Sequence, residues 1–132
     1  EQACLRRPAP HPPEAIQMWI LAQCSVQTLE RFYMTVALLA KHGSGTLRPG
    51  QLEDLCHLMA QRMSMLFQFS APEFFDKPLF RGFIGRLRRH GVLRTDETGL
   101  LVFDPALVQA MDDARQFLGD RLRNDILQAM NL

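Results

Sequence analysis

Cysteine is scarce in this sequence: Cys4, Cys24 and Cys56 are all it has, and no two of them form a CxxC pair. Cys24 and Cys56 fall within apolar helical patterns, the usual place for small buried thiols of a reducing compartment. His11, His42, His57 and His90 stand too far apart to supply the closely spaced ligands of a zinc site. No run approaches the roughly 18 consecutive apolar residues of a membrane-spanning helix. The longest candidates, Met18–Ala22 and Met34–Ala40, are short pieces of amphipathic helices. Neither sign of charge is in excess, and a net charge of +1 gives no global field that would advertise nucleic acid or membrane as a partner. Enzyme signatures are missing as well: there is no GxSxG, P-loop, HExxH or Rossmann glycine pattern. Cys56, His57 and Ser64 lie on one helical stretch, but Cys56 and His57 are neighbours pointing about 100° apart, so they cannot pair as nucleophile and base. No cofactor is implied, and the chain by itself reads as inactive.

The 132 residues suit one domain with a single core, and 47% hydrophobic with 22% charged residues is a globular balance. The opening "EQACLRRPAPHPPEA" has no initiator Met and no signal-peptide pattern, and reads as a cut inside a longer protein or a processed start. Its Pro-rich part makes residues 1–13 a linker, with the domain over 14–132.

Pro13 and Glu14 suit the first turn of a helix. Ile16, Trp19, Ile20 and Cys24 form one apolar stripe, and Leu29, Phe32, Tyr33, Val36, Leu39 and Ala40 form another. The register slips near Ser25–Thr28, which predicts one bent helix or two in succession, stopped by Gly43 and Gly45 in "KHGSG". After a short extended link, Leu47–Pro49, Pro49-Gly50 opens a second helix. Its apolar positions Leu52, Leu55, Met59, Met63 and Leu66 share one face, with the methionines expected as core filling.

In "FSAPEFFDKP", Ser70 and Glu73 have the spacing of a capping box, with Phe69 and Phe74 at the flanking staple positions. Asp76 can then cap a further helix whose first turn holds Lys77-Pro78. Glu73 and Asp76 are therefore expected to build a turn between helices; nothing beside them offers a nucleophile or a scissile bond. The next helix, Lys77 to His90, turns Phe80, Phe83, Ile84 and Leu87 inward and ends at Gly91. "VLRTDETGLLVF" reads as a hairpin about an Asp-Glu-Thr-Gly turn. Asp104-Pro105 starts a last helix with Leu107, Met111, Ala114, Leu118 and Leu122 on one side. The expected fold is mainly α: a winged-helix-like domain of helices plus one small β-hairpin, with the segment around Leu47 as a third strand and an additional helix at each end.

Charge is uneven along the chain. Arg81, Arg86, Arg88, Arg89 and Arg94 fall in a stretch with no acid, whereas residues 95–132 carry seven acids against three arginines. Arg81 and Arg88 share one outer face of their helix, and Arg86 and Arg89 an adjacent one. Arginines on the third helix of a winged helix invite a DNA-binding reading. The near-zero net charge argues against it, as does the absence of outward Asn, Gln and Ser to read base edges beside them. The alternatives are a solvated or interdomain face and a patch for anionic lipid.

"LERFYMTVALLA", "MAQRMSMLFQFSAPEFFDK" and "LRRHGVL" together resemble the C-terminal region of bacterial membrane-associated glycerol-3-phosphate acyltransferases, from about Leu29 to Leu93 and more loosely into the last helix. The resemblance implies a parent enzyme that moves an acyl group from acyl-carrier protein or acyl-CoA to the 1-position of glycerol 3-phosphate. That is the first step of phospholipid synthesis, at the cytoplasmic face of the inner membrane. The family's catalytic His and Asp, with four residues between them, belong to an upstream domain. Here His11, His42, His57 and His90 are followed at that spacing by Ile16, Leu47, Arg62 and Thr95, so no catalytic residue carries over. The resemblance thus implies an accessory domain whose partners are the upstream catalytic domain, on which the exposed parts of the Met18–Leu21 region pack, and an anionic membrane surface, with the Arg81–Arg94 cluster as the docking or lipid-facing patch. A free-standing winged-helix module that binds nucleic acid or protein is the alternative.

Overall fold

A computed structural model describes residues 13–67, 76–114 and 120–130. Among them are five helices and one hairpin: α1 (Pro13–His42), α2 (Pro49–Phe67), α3 (Lys77–Arg89), β1 (Leu93–Thr95), β2 (Leu101–Phe103), α4 (Ala106–Ala114) and α5 (Asp120–Met130). The chain is mainly α with a two-stranded antiparallel sheet. The linker expected over 1–13 lies outside the described residues except for Pro13, which begins α1.

α1 is one 30-residue helix, where the register slip near Ser25–Thr28 left open a break into two. Ser25 lies within it and donates its hydroxyl to the Leu21 carbonyl one turn back, at 3.0 Å. Glu14 in the first turn and Lys41 and His42 in the last complement the helix dipole. The two halves of α1 differ in surroundings. Tyr33 to Leu39 are seven consecutive buried residues, so this half is covered on every side by α2, α4 and α5. Ile16, Met18, Trp19, Ile20 and Leu21 are all exposed; the first apolar stripe has no core to face.

Local chemistry sets the other ends. α2 begins at Pro49 after Arg48, whose backbone N–H donates to the Gln51 side-chain oxygen at 2.9 Å, as in half of a capping box. α3 ends in a Schellman motif: Val92 N–H donates to Leu87 O at 2.9 Å and Gly91 N–H to Arg88 O at 3.1 Å, with Gly91 at φ +73. Asp104 caps α4 through a 2.9 Å bond from Ala106 N–H. Of the last helix expected from Asp104, the described residues give α4 and α5; residues 115–119 between them, with Leu118 of the expected stripe, lie outside the described residues. The two helices have different neighbours, α4 packing on α1 and α5 mainly on α2. Leu107 and Met111 of the expected stripe are buried, and α5 adds Ile126 and Ala129 to the core.

The hairpin pairs Leu93 with Phe103, Arg94 with Val102 and Thr95 with Leu101. Its turn is held by Asp96 Oδ1, which accepts from Thr98 N, Leu100 N and the Thr98 hydroxyl. The free edge of β2 is met by the α1–α2 link. Leu101 N–H donates to Leu47 O at 2.7 Å, and Gly45 N–H donates to Leu101 O at 2.8 Å. Leu47 therefore takes the third-strand position by backbone bonding, without extending into a strand.

The core joins α1, α2 and α3 through Leu39, Leu52, Cys56, Met59, Met63, Phe80 and Ile84, closed by Leu93 and Leu101 from the hairpin. Met59 and Met63 fill the interior as expected, and Phe32 meets Phe83 edge-on at 6.2 Å. Phe83 and Leu87 of the inward set on α3 are half-buried.

Candidate functional site

The five arginines singled out in the sequence lie on α3 and β1, and the structure divides them. Arg81 is already engaged. Its Nη2 and Nε donate to Glu53 Oε1 and Oε2 at 2.7 and 3.1 Å, a bidentate pair between α3 and α2. The Glu53 side chain is 9% exposed and the Arg81 side chain 69%, so the arginine reaches from solvent to neutralise a carboxylate set into the body. The hydrogen bond to Glu53 and its charge hold the Arg81 guanidinium above its ordinary pKa. One residue along α2, Asp54 pairs with Lys77, a second tie between the same two helices.

Arg86, Arg88, Arg89 and Arg94 have no acidic partner among the described residues. Arg88, Arg89 and Arg94, with Gly85, Leu93 and Thr95, line an open groove of about 450 Å³ between the end of α3 and β1. A methyl group added at Gly85 would meet nothing within 4 Å, so the groove is open there. Arg86 extends the positive surface toward α1. Burial lowers the pKa of Arg31, and the nearby charge of Arg86 lowers it further, against the pull of Glu30. Glu30, half-buried itself, is raised by desolvation.

Of the residues expected to form the inter-helix turn, Phe69, Ser70, Glu73 and Phe74 lie outside the described residues. Asp76 occupies the N-cap position of α3 with extended backbone (φ −63, ψ 133), and Pro78 sits in the first turn as anticipated. Its carboxylate makes no cap hydrogen bond; the Asp76 carbonyl accepts from Leu79 N–H at 2.9 Å instead. Cys56 is fully buried, its thiol donating to the Thr35 hydroxyl at 3.7 Å, and desolvation pushes its pKa up to about 12. A thiol so protonated is no nucleophile at neutral pH.

Sequence reasoning missed Glu53 and Arg31; it anticipated exposed parts in the Met18–Leu21 region, and the structure extends that exposure back to Ile16. A signal existed for Glu53: it stands three residues before Cys56 and seven before Ala60, on the flank of the buried stripe of α2.

Residues 1–96, a span that carries α1 to β1 and all five arginines, match the family described as the glycerol-3-phosphate acyltransferase C-terminal region. The chain belongs to this family. The glycerol-3-phosphate acyltransferase of Pseudomonas syringae pv. syringae (strain B728a) is 47% identical over 123 residues, which cover 92% of this chain and 15% of the relative. That of Xylella fastidiosa (strain M12) is 41% identical over 126 residues, covering 96% and 15%. The enzyme of Ectopseudomonas mendocina (strain ymp) is 45% identical over 123 residues. No solved structure matches. This acyltransferase C-terminal region thus spans about 15% of the length of the curated relatives it matches, and the match to them continues past residue 96 into α4 and α5.

Proposed function

We propose that the chain is a non-catalytic, winged-helix-like accessory domain of an enzyme that transfers an acyl group from acyl-carrier protein or acyl-CoA to glycerol 3-phosphate in phospholipid synthesis. Residues 1–13 lead into it and residues 14–132 form it. The observation that carries this reading is membership of the acyltransferase C-terminal family by a chain in which no His is followed by Asp with four residues between them. The domain docks on the catalytic part of the polypeptide. Its arginine face meets the anionic surface on the cytoplasmic side of the bacterial inner membrane. Arg86, Arg88, Arg89 and Arg94 support the membrane contact, because positive charge without acidic partners is what an anionic surface attracts. No helix among the described residues is long and apolar enough to cross a membrane, so such contact is made from the surface.

The test is glycerol-3-phosphate acylation by the chain alone, by a separately expressed upstream region, and by the two mixed. The expected result is an inert chain, a weak upstream region and a recovery of activity in the mixture. Turnover by the chain alone would overturn the non-catalytic assignment, and a fully active upstream region would overturn the accessory role.

A further inference from the structure

The N-terminal half of α1 breaks a rule that the rest of the molecule obeys. A helix that is apolar all round is buried all round. The C-terminal half obeys it, with Tyr33 to Leu39 covered on every side. At about 100° per residue, Ile16, Met18, Trp19, Ile20 and Leu21 also spread around the whole circumference of the helix. Yet Ile16 is 61%, Trp19 63% and Leu21 65% exposed. No side chain between Pro13 and Leu21 is buried, so about two and a half turns of α1 stand clear of the core that its later turns complete. A surface helix that lies on a partner needs one apolar stripe; one with apolar residues on all sides needs to be enclosed.

We infer that α1 is shared between two cores: its C-terminal half completes this domain, and Ile16, Met18, Trp19, Ile20 and Leu21 form the central helix of a second core built by the polypeptide that precedes this region. The inference rests on the accessory-domain reading. The occupant follows from the chain's place in its family. The family is described as a C-terminal region and the chain covers 15% of its relatives, so most of those polypeptides lies on the N-terminal side, where the exposed turns are. Covalent continuity keeps that neighbour at high effective concentration without any further contact. The charge fits as well. Between Pro13 and Thr28 the only ionisable side chain with a full charge is Glu14, in the first turn, so nothing along the arm opposes burial. The positive face on α3 and β1 is separate from the arm and remains available for an anionic surface.

The experiment uses the full-length acyltransferase that carries this region, with the photo-reactive residue benzoylphenylalanine in place of Trp19, an aromatic for an aromatic. After irradiation in lipid bilayers, the adduct is mapped by mass spectrometry. The expected adduct joins position 19 to residues upstream of this region in the same polypeptide, at unchanged monomer mass. An added Ile20→Asp substitution is expected to lower its yield about tenfold or more, because the carboxylate would have to enter an apolar core. Any of four other results overturns the inference: a doubled mass, which makes the occupant a second copy; a lipid adduct; an adduct to residues 68–75 or 115–119 of this region; or no protein adduct. The cross-link is read without any acylation assay, so its failure and the failure of the accessory-domain reading are distinguishable.

Discussion

Arg81 and Arg88 are seven residues apart on one face of α3, and the chemistry of the side chains alone does not separate them. Burial of Glu53 does. Once α2 and α3 dock, a carboxylate with 9% exposure requires a cation, and Arg81 is within reach to supply both hydrogen bonds. The pair is asymmetric. Arg81→Met leaves a buried acid without a partner, whereas Glu53→Gln leaves an arginine that water solvates. Chemical denaturation of the four proteins is therefore expected to rank the urea midpoints wild type, then Glu53→Gln, then Arg81→Met, with Arg88→Met close to wild type. A midpoint for Arg88→Met as low as that for Arg81→Met would show that the division of the arginine face into an engaged and a free part is wrong.

At the scale of elements, two aspartates take the same sequence role and do different work. Asp76 and Asp104 both precede a helix with a proline in its opening turn. Asp104 Oδ1 accepts from Ala106 N–H at 2.9 Å, while Asp76 makes no side-chain cap bond. Asp104→Ala is expected to cost about 1 kcal/mol of unfolding free energy. Asp76→Ala is expected to cost under about 0.5 kcal/mol, in the range of ordinary surface substitutions. Thermal or urea unfolding measures both; equal losses would mean that the N-cap position itself, and not the hydrogen bond, carries the effect. The end of α5 shows the opposite case, in which distant side chains provide the cap. Lys41 of α1 donates to Met130 O and Arg62 of α2 to Ala129 O, placing two cations at the negative end of the helix.

For the whole molecule, what matters is which surfaces are left over when the core is complete. Among the described residues, two stand out: the arginine groove and the apolar arm of α1. One is charged and the other apolar, so on the function proposed above the first suits an anionic membrane and the second the polypeptide that precedes this region. A basic residue at an anionic surface contributes about 1 kcal/mol. Replacing Arg88, Arg89 and Arg94 together by Gln is therefore expected to weaken partitioning to vesicles containing phosphatidylglycerol about a hundredfold at low salt, with little effect on the unfolding midpoint. Sedimentation with vesicles checks it, and unchanged partitioning would remove this groove from the membrane contact.

Much of this fold was legible in the sequence because the features that set it are local. Pro49, Asp104-Pro105, Gly43 and Gly91 act within a turn of themselves. The stripe of Leu52, Met59 and Met63 and the inward set Phe80 and Ile84 follow from helical period, and the Asp96–Gly99 turn fixes the hairpin register. Tertiary structure decided what depends on residues far apart in the chain: that Arg81 answers Glu53 28 positions away, that Lys41 caps a helix 89 positions away, and that Leu47 bonds to Leu101 without becoming a strand. It also decided which half of α1 is buried. Both halves are apolar around the helix, so periodicity treats them alike; only the placement of α2, α4 and α5 around Tyr33–Leu39 gives one half a core and leaves Ile16–Leu21 exposed.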